Sequence, residues 1–152
     1  MITKDQLQWI VNDPQAWLSR GEKLSARIQA KRKQISRLHE ICTATTQALK
    51  QVVVYTGPTN KIEKCMTEAF DLEREIMVEI EELLQIQREI AESISLLLDD
   101  TKLITILEMR YLSGYRMEEI ADSLIYSLRW IQRLHAEALA QMKKNALFKL
   151  QC

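Results

Sequence analysis

The most restrictive feature of the sequence is an apolar side chain recurring every seventh position: Ile62, Ala69, Ile76, Leu83, Ile90 and Leu97. Cys65, Leu72 and Ile86 fill several of the intervening positions, while Glu79 and Ser93 interrupt them. A repeat of seven returns to the same side of an α-helix after two turns. The pattern therefore predicts one helix from near Thr59 or Asn60 to about Leu98, with a coiled-coil seam along it. At 1.5 Å per residue such a helix is about 60 Å long. A small globule cannot cover that length, so the seam requires a partner helix.

The preceding segment supplies one. Asp13-Pro14 has the chemistry of an N-cap followed by proline at the first helical position. Leu24, Ile28, Ile35, Leu38 and Cys42 then follow in steps of three and four, with Lys31 the polar interruption. This predicts a helix to about Cys42, weakened at Gly21 by about 1 kcal/mol relative to alanine. From Arg20 to Arg37 this stretch carries seven basic residues and one acidic one, Glu22. Residues 1–60 are net +5, residues 61–100 net −8 and residues 101–152 net +3, so the zero total is a cancellation between segments. An antiparallel hairpin brings the opposite signs together, which sets register more than stability. Lys31-Arg32-Lys33 looks like a nucleic-acid patch, yet pairing with the acidic helix explains it without DNA. The first helix is the shorter of the two, so part of the seam is expected to remain unmatched and to drive self-association into a homo-oligomer. Thr43–Thr59, rich in threonine and containing Val52-Val53-Val54, reads as an irregular connection ending at Gly57-Pro58.

Composition narrows the class. Three Gly and two Pro in 152 residues are too few for β-connections, and 47% apolar residues exclude wholesale disorder. The fold class is all-α: a long helical hairpin or coiled coil over residues 1–98, broken near 43–59, then a second domain over 99–152. No apolar run approaches the ~18 residues that span a bilayer, and the first residues lack a signal-peptide pattern. Cys42, Cys65 and Cys152 have no metal-type spacing, as expected of a reduced cytoplasmic protein. His39 and the cysteines form no metal constellation, and no cofactor is called for. With no phosphate-binding glycine loop, nucleophile elbow or HExxH, the sequence reads as a non-enzyme.

The last third carries the functional signal. Asp99-Asp100-Thr101 offers an N-cap, and Leu103, Ile106, Leu107, Arg110 and Tyr111 follow at helical spacing. Ser113-Gly114-Tyr115 breaks that helix. Met117–Leu124 reads as a short helix with Met117, Ile120 and Leu124 inward and Ala121 at a close contact. Ile125-Tyr126 makes a turn, and Ser127 caps a third helix running to about Lys144. A short helix, a tight turn and a longer helix form a helix-turn-helix. Around the third helix, Ile131, Leu134, Ala138 and Met142 define the buried side. Arg129, Gln132, Arg133, Ala136, Ala140 and Lys143 lie opposite. Arginine reads guanine and glutamine reads adenine in the major groove, and Lys143 and Lys144 can hold phosphates. Trp130 flanks this stripe. Arg110 is expected to pair with Glu119 or Glu108, His135 to pack or cap, and Trp9 and Trp17 to anchor the residues before the hairpin.

The string Leu107-Glu108-Met109-Arg110-Tyr111-Leu112-Ser113-Gly114, then Glu118-Glu119-Ile120-Ala121-Asp122-Ser123-Leu124, then Ser127 and Leu134–Leu139, resembles region 4 of bacterial sigma-70 factors. A closer resemblance is to phage and prophage proteins of the ArpU/RinA-type late-gene regulator group, which join a coiled coil to this module. Tyr126-Ser127, Arg129, Arg133-Leu134-His135 and Asp71-Leu72-Glu73-Arg74-Glu75-Ile76 carry it. The resemblance covers residues 14–144, most strongly the last fifty. It implies double-stranded promoter or operator DNA as partner, docking on bacterial RNA polymerase, and work in the cytoplasm of a bacterial host. Base-contacting positions fall on Leu128, Arg129, Gln132 and Arg133; with Ser127, Trp130, Lys143 and Lys144 they make the expected DNA-binding set. Two departures stand out: Ile125 occupies the position of the usual turn glycine, and Leu128 that of a base-reading arginine. The same helices also suit a phage DNA-packaging subunit of the small-terminase type, or a coiled-coil interaction protein that binds no DNA.

Overall fold

A computed structural model of the chain describes residues 2–51 and 59–152, with the side chains of residues 2–44 and 61–152. Among the described residues the fold is all-α, without a strand. The helices are α1 (Lys4–Asn12), α2 (Pro14–Leu18), α3 (Arg20–Gln51), α4 (Thr59–Leu97), α5 (Thr101–Leu107), α6 (Met117–Leu124) and α7 (Leu128–Gln151), with a π-helical turn, Glu108–Leu112, continuing α5. By its contacts the chain forms two compact units, Leu24–Leu83, and Met1–Lys23 together with Leu84–Cys152. The contacts join residues 84–98 and the first 23 residues to the C-terminal segment.

In the unit Leu24–Leu83, α3 and α4 run antiparallel. Ile28, Ala69 and Ile76 are buried along the seam. Its two polar interruptions face each other: the Lys31 ammonium donates to the Glu79 carboxylate and lies 3.1 Å from Glu75. Arg27 reaches Glu79 at 3.4 Å, and His39 Nε2 lies 3.9 Å from Glu73. Glu79 is buried despite its charge. Its hydrogen bond holds the Lys31 ammonium above its ordinary pKa. Farther along, the Cys42 and Cys65 thiols meet, and burial followed by this neighbour pushes Cys42 upward. The irregular connection expected from Thr43 begins later than the sequence suggested. Residues 43–51 are helical, and Thr43 accommodates the helix by donating its hydroxyl to the His39 carbonyl one turn back (2.8 Å). The rest of that connection, residues 52–58, lies outside the described residues.

The other unit is built around one apolar core. α1 was not legible as a helix in the composition of residues 1–12, but Thr3 and Gln6 close a reciprocal capping box at its start. Asp13 caps α2, accepting from the Ala16 amide at 3.1 Å, with Pro14 at the first helical position. The single helix expected from Pro14 to Cys42 is broken at Ser19 into α2 and α3, rather than weakened at Gly21. This break lets Trp17 and Leu18 turn inward and become fully buried. The Trp17 indole N–H donates to Ser93 Oγ at 3.0 Å, and Ser93 donates in turn to the Ile90 carbonyl. The second gap in the α4 seam is thus a hydrogen-bonding seat for a tryptophan. Arg20 stacks 3.8 Å above Trp17 and 5.2 Å from Trp9, and pairs with Glu89 at 2.9 Å. Trp9 packs edge-on against Trp17 but stays 44% exposed, so the anchoring expected of both tryptophans falls on Trp17.

Ile90, Ile94 and Leu97 are buried in the same core with Ile10 and Leu18. The end of the seam is therefore covered within the chain, not left unmatched. α1 and α5 pack chiefly on α7, as does α6. Asn145 fastens α7 by donating to the Leu97 carbonyl at 2.6 Å.

Replacing Glu79 by leucine leaves Lys31 only Glu75, and replacing Lys31 leaves the buried Glu79 only the exposed Arg27, whereas replacing both removes the mismatch at the seam. We expect each single variant to melt lower than the Lys31→Leu/Glu79→Leu double variant in thermal denaturation followed by circular dichroism. Ser93→Ala leaves the buried Trp17 N–H unpaired and is expected to cost about 1–3 kcal/mol in urea unfolding.

Candidate nucleic-acid interface

Three local decisions position the C-terminal surface. Asp100 caps α5 through the Lys102 amide at 3.0 Å. Arg116 and Glu119 close the start of α6, with a 2.8 Å ion pair that lowers the Glu119 pKa and raises that of Arg116. Ser127 caps α7, its Oγ accepting from the Trp130 amide at 3.2 Å. α6 ends where Ile125 enters the left-handed region, φ 59° and ψ 47°, and the Ile125 and Tyr126 amides both return to the Ala121 carbonyl. Ile125 thus takes a backbone conformation that favours glycine and holds it under strain. A β-branched residue there loses roughly 1–2 kcal/mol. Its side chain is 90% exposed, so packing within the chain does not offset the loss.

Ile131, Leu134, Ala138 and Met142 are buried, as the helical spacing requires, and Ala146 continues the row because α7 runs seven residues past Lys144. Ile120 and Ala121 of α6 are buried against the same core, with Met117 and Leu124 partly so. Every residue of the expected DNA-binding set is exposed: Ser127 at the cap, Leu128, Arg129, Trp130, Gln132 and Arg133 over the first turns, and Lys143 and Lys144 farther along, with Arg129, Gln132, Arg133 and Lys143 opposite the buried row. Ala136 and Ala140 are exposed between them. The Arg133 guanidinium sits 6.0 Å from the Trp130 ring. α7 carries five basic residues (Arg129, Arg133, Lys143, Lys144, Lys149) and one acidic residue (Glu137), net +4. The spacing did not single out Ile125 and Tyr126 as surface; with Leu128 and Trp130 they form an exposed apolar rim at the start of α7.

The inner side of this segment is held by a polar pair. Tyr111, in the π-helical turn, and His135 approach to 2.7 Å between hydroxyl and Nε2, their rings nearly parallel and 5.7 Å apart. Burial pushes the Tyr111 hydroxyl up to about 12. Burial, then the positive charge of Arg110, lowers the His135 pKa. Both shifts favour neutral groups, which share one hydrogen bond. His135 therefore packs, as its position near the core side suggested. Arg110 does not pair with Glu119 or Glu108; it reaches Glu22 at 3.2 Å, a partner the local sequence could not reveal because it lies 88 positions earlier.

A concavity of about 230 Å³ lies between the start of α5 and the turn, lined by Thr101, Lys102, Thr105, Ile106, Leu124 and Tyr126. Its lining brings together no carboxylate, histidine or thiol. Among the described residues no three histidine, cysteine or acidic side chains converge as a metal site. No described helix is long and apolar enough to cross a membrane. Comparison with protein-family models, curated proteins and solved structures gives no match to this chain.

Ile125→Gly is expected to stabilise the protein by about 0.5–1 kcal/mol in chemical denaturation, since relief of the left-handed strain exceeds the added freedom of the unfolded glycine. The His135 shift has a defined sign. Its folded pKa lies below the unfolded value near 6.5, so its contribution is complete above that value and is lost as pH falls through and below it. Unfolding free energies at pH 7.5 and 5.5 are expected to differ more in the parent protein than in His135→Gln.

Proposed function

We propose that this protein is a DNA-binding transcription regulator of the phage late-gene type, reading double-stranded DNA with the exposed side of α7. The observation that carries this reading is the placement of Arg129, Gln132 and Arg133 together, exposed, in the first turns after a serine-capped helix start. α6, the turn at residues 125–127 and α7 have the lengths of a helix-turn-helix, whose second helix enters the major groove by its N-terminal turns. Arginine and glutamine there have the donors that distinguish guanine and adenine. Leu128 has no donor and offers an apolar contact of the kind a thymine methyl accepts. Lys143 and Lys144 lie four turns on, where contacts to phosphate position a domain without specifying sequence.

The resemblance of residues 107–139 to sigma-70 region 4 supports the same reading and adds bacterial RNA polymerase as a second partner. On this reading the α3–α4 hairpin brings copies together, so that two recognition helices meet paired half-sites. The reading assigns no catalytic step and no cofactor, and the protein works in the cytoplasm of a bacterial host.

The test is selection of binding sites from random duplex DNA, followed by anisotropy titrations with the selected site. Arg129→Ala and Arg133→Ala are each expected to lose about 1–3 kcal/mol of binding and to relax preference at one position. Lys143→Ala is expected to weaken binding evenly and to reduce the salt slope by about one. A folded Arg129→Ala/Arg133→Ala protein that binds the selected site undiminished would refute the assignment.

A further inference from the structure

The seam between α3 and α4 brings together two of the chain's three thiols. Cys42 follows Ile28 by two heptads and Cys65 precedes Glu79 by two, so each lies on the inward side of its helix. The ion pairs of the hairpin set the register that aligns them. Lys31 meets Glu75 at 3.1 Å; eleven residues on from Lys31 is Cys42, and ten back from Glu75 is Cys65. His39 and Glu73, between these two contacts, keep the same alignment. The two thiols, each half-buried, stand within hydrogen-bonding reach of one another. Cys152 is exposed and belongs to the other compact unit.

A single half-buried cysteine is an ordinary packing group, but two in contact carry redox chemistry that neither has alone. Helices pack about 8–10 Å apart with Cα atoms about 2.3 Å from each axis, so inward-facing Cα atoms approach to roughly 3.5–5.5 Å at closest. A disulfide spans about 4.4–6.8 Å between Cα atoms and needs both Cβ atoms to point across the gap. An inward pair on facing helices meets both demands.

We propose that Cys42 and Cys65 form an oxidation site at which hydrogen peroxide or a small organic hydroperoxide closes a disulfide between α3 and α4. With hydrogen peroxide, one thiolate attacks an oxygen; the S–O bond forms, the O–O bond breaks, and hydroxide leaves and takes up a proton as water. The second thiol gives up its proton and attacks the resulting sulfenic sulfur. The S–S bond forms, the S–O bond breaks and a second water leaves, so two thiols are oxidised and one peroxide is reduced. Burial, then the neighbouring Cys65, keeps the Cys42 thiol protonated, so the first attack falls to Cys65 and Cys42 resolves it. Twenty-two residues lie between the two cysteines, and closing them into a ring withdraws conformations from the unfolded chain. The disulfide thereby holds α3 and α4 in the register that Lys31 and Glu79 select. The site does not depend on the DNA-binding reading, and its test contains no DNA.

The reduced full chain is treated with a small excess of hydrogen peroxide. Its intact mass is expected to fall by two hydrogens, and a peptide linking Cys42 to Cys65 is expected in the non-reduced digest. Dithiothreitol is expected to undo both. Cys152→Ser is expected to behave as the parent, whereas Cys42→Ala and Cys65→Ala each yield no such peptide. Oxidation is expected to raise the melting temperature by about 5 °C or more in the parent and not in Cys42→Ala, followed by circular dichroism. The variant keeps the exposed Met66 and Met77, so their oxidation does not account for the difference. Cysteine that gains oxygen without a link overturns the proposal, as does a link that runs to Cys152 or between two chains. Thiols that stay reduced while Met66 is oxidised overturn it too, and leave Cys42 and Cys65 as packing groups. A Cys42–Cys65 disulfide that leaves the melting temperature unchanged overturns its hold on the register.

Discussion

A heptad seam by itself does not say where its partner starts, because sliding one helix by seven residues restores nearly the same apolar contacts. The part-buried Lys31–Glu79 pair removes that freedom in the hairpin. The Glu79 carboxylate is buried, so a slipped register leaves it without its ammonium partner rather than with one slightly poorer contact. The pair is therefore better understood as a register device than as a source of stability. The surrounding contacts of Arg27 and Glu75 belong to the same register. The alignment of Cys42 with Cys65 and of His39 with Glu73 follows from it.

The second polar gap obeys the same logic with different chemistry. Ser93 is small enough to leave space in the α4 seam, and Trp17 occupies it with its indole N–H satisfied. A tryptophan can be fully buried only where that proton has an acceptor. The break at Ser19 delivers it there. Around this contact the first 23 residues join residues 84–152 in one core, and α7 lies across that core with its basic side outward.

Much of this was readable because helical periodicity is local. The α4 limits, the α7 buried row, the caps at Asp13, Asp100 and Ser127, and the opposing charges of α3 and α4 all follow from residues a few positions apart. What escaped the sequence was set at a distance or by compensation. Arg110 chose Glu22 because folding brings α3 and the π-helical turn together, which no spacing rule contains. Thr43–Gln51 looked like a loop by composition, but threonine can return its hydroxyl bond to the preceding turn and remain helical. The signal of α1 is sparse: Thr3 and Gln6 at the capping-box interval, followed by Leu7 and Ile10. At the candidate DNA surface the exposed arginines and glutamine were legible from the angle they make with Ile131. The exposed Ile125 was not, because its orientation depends on a strained backbone rather than on a helical period.

The continuity of α3 and α4 through both compact units has a thermodynamic consequence. The larger core is assembled from two stretches of chain separated by the 60 residues Leu24–Leu83. Were those residues a flexible tether, closing them would oppose assembly by on the order of 3–4 kcal/mol. Folded as a hairpin, they deliver Arg20 and Glu89 already side by side and act like a covalent staple.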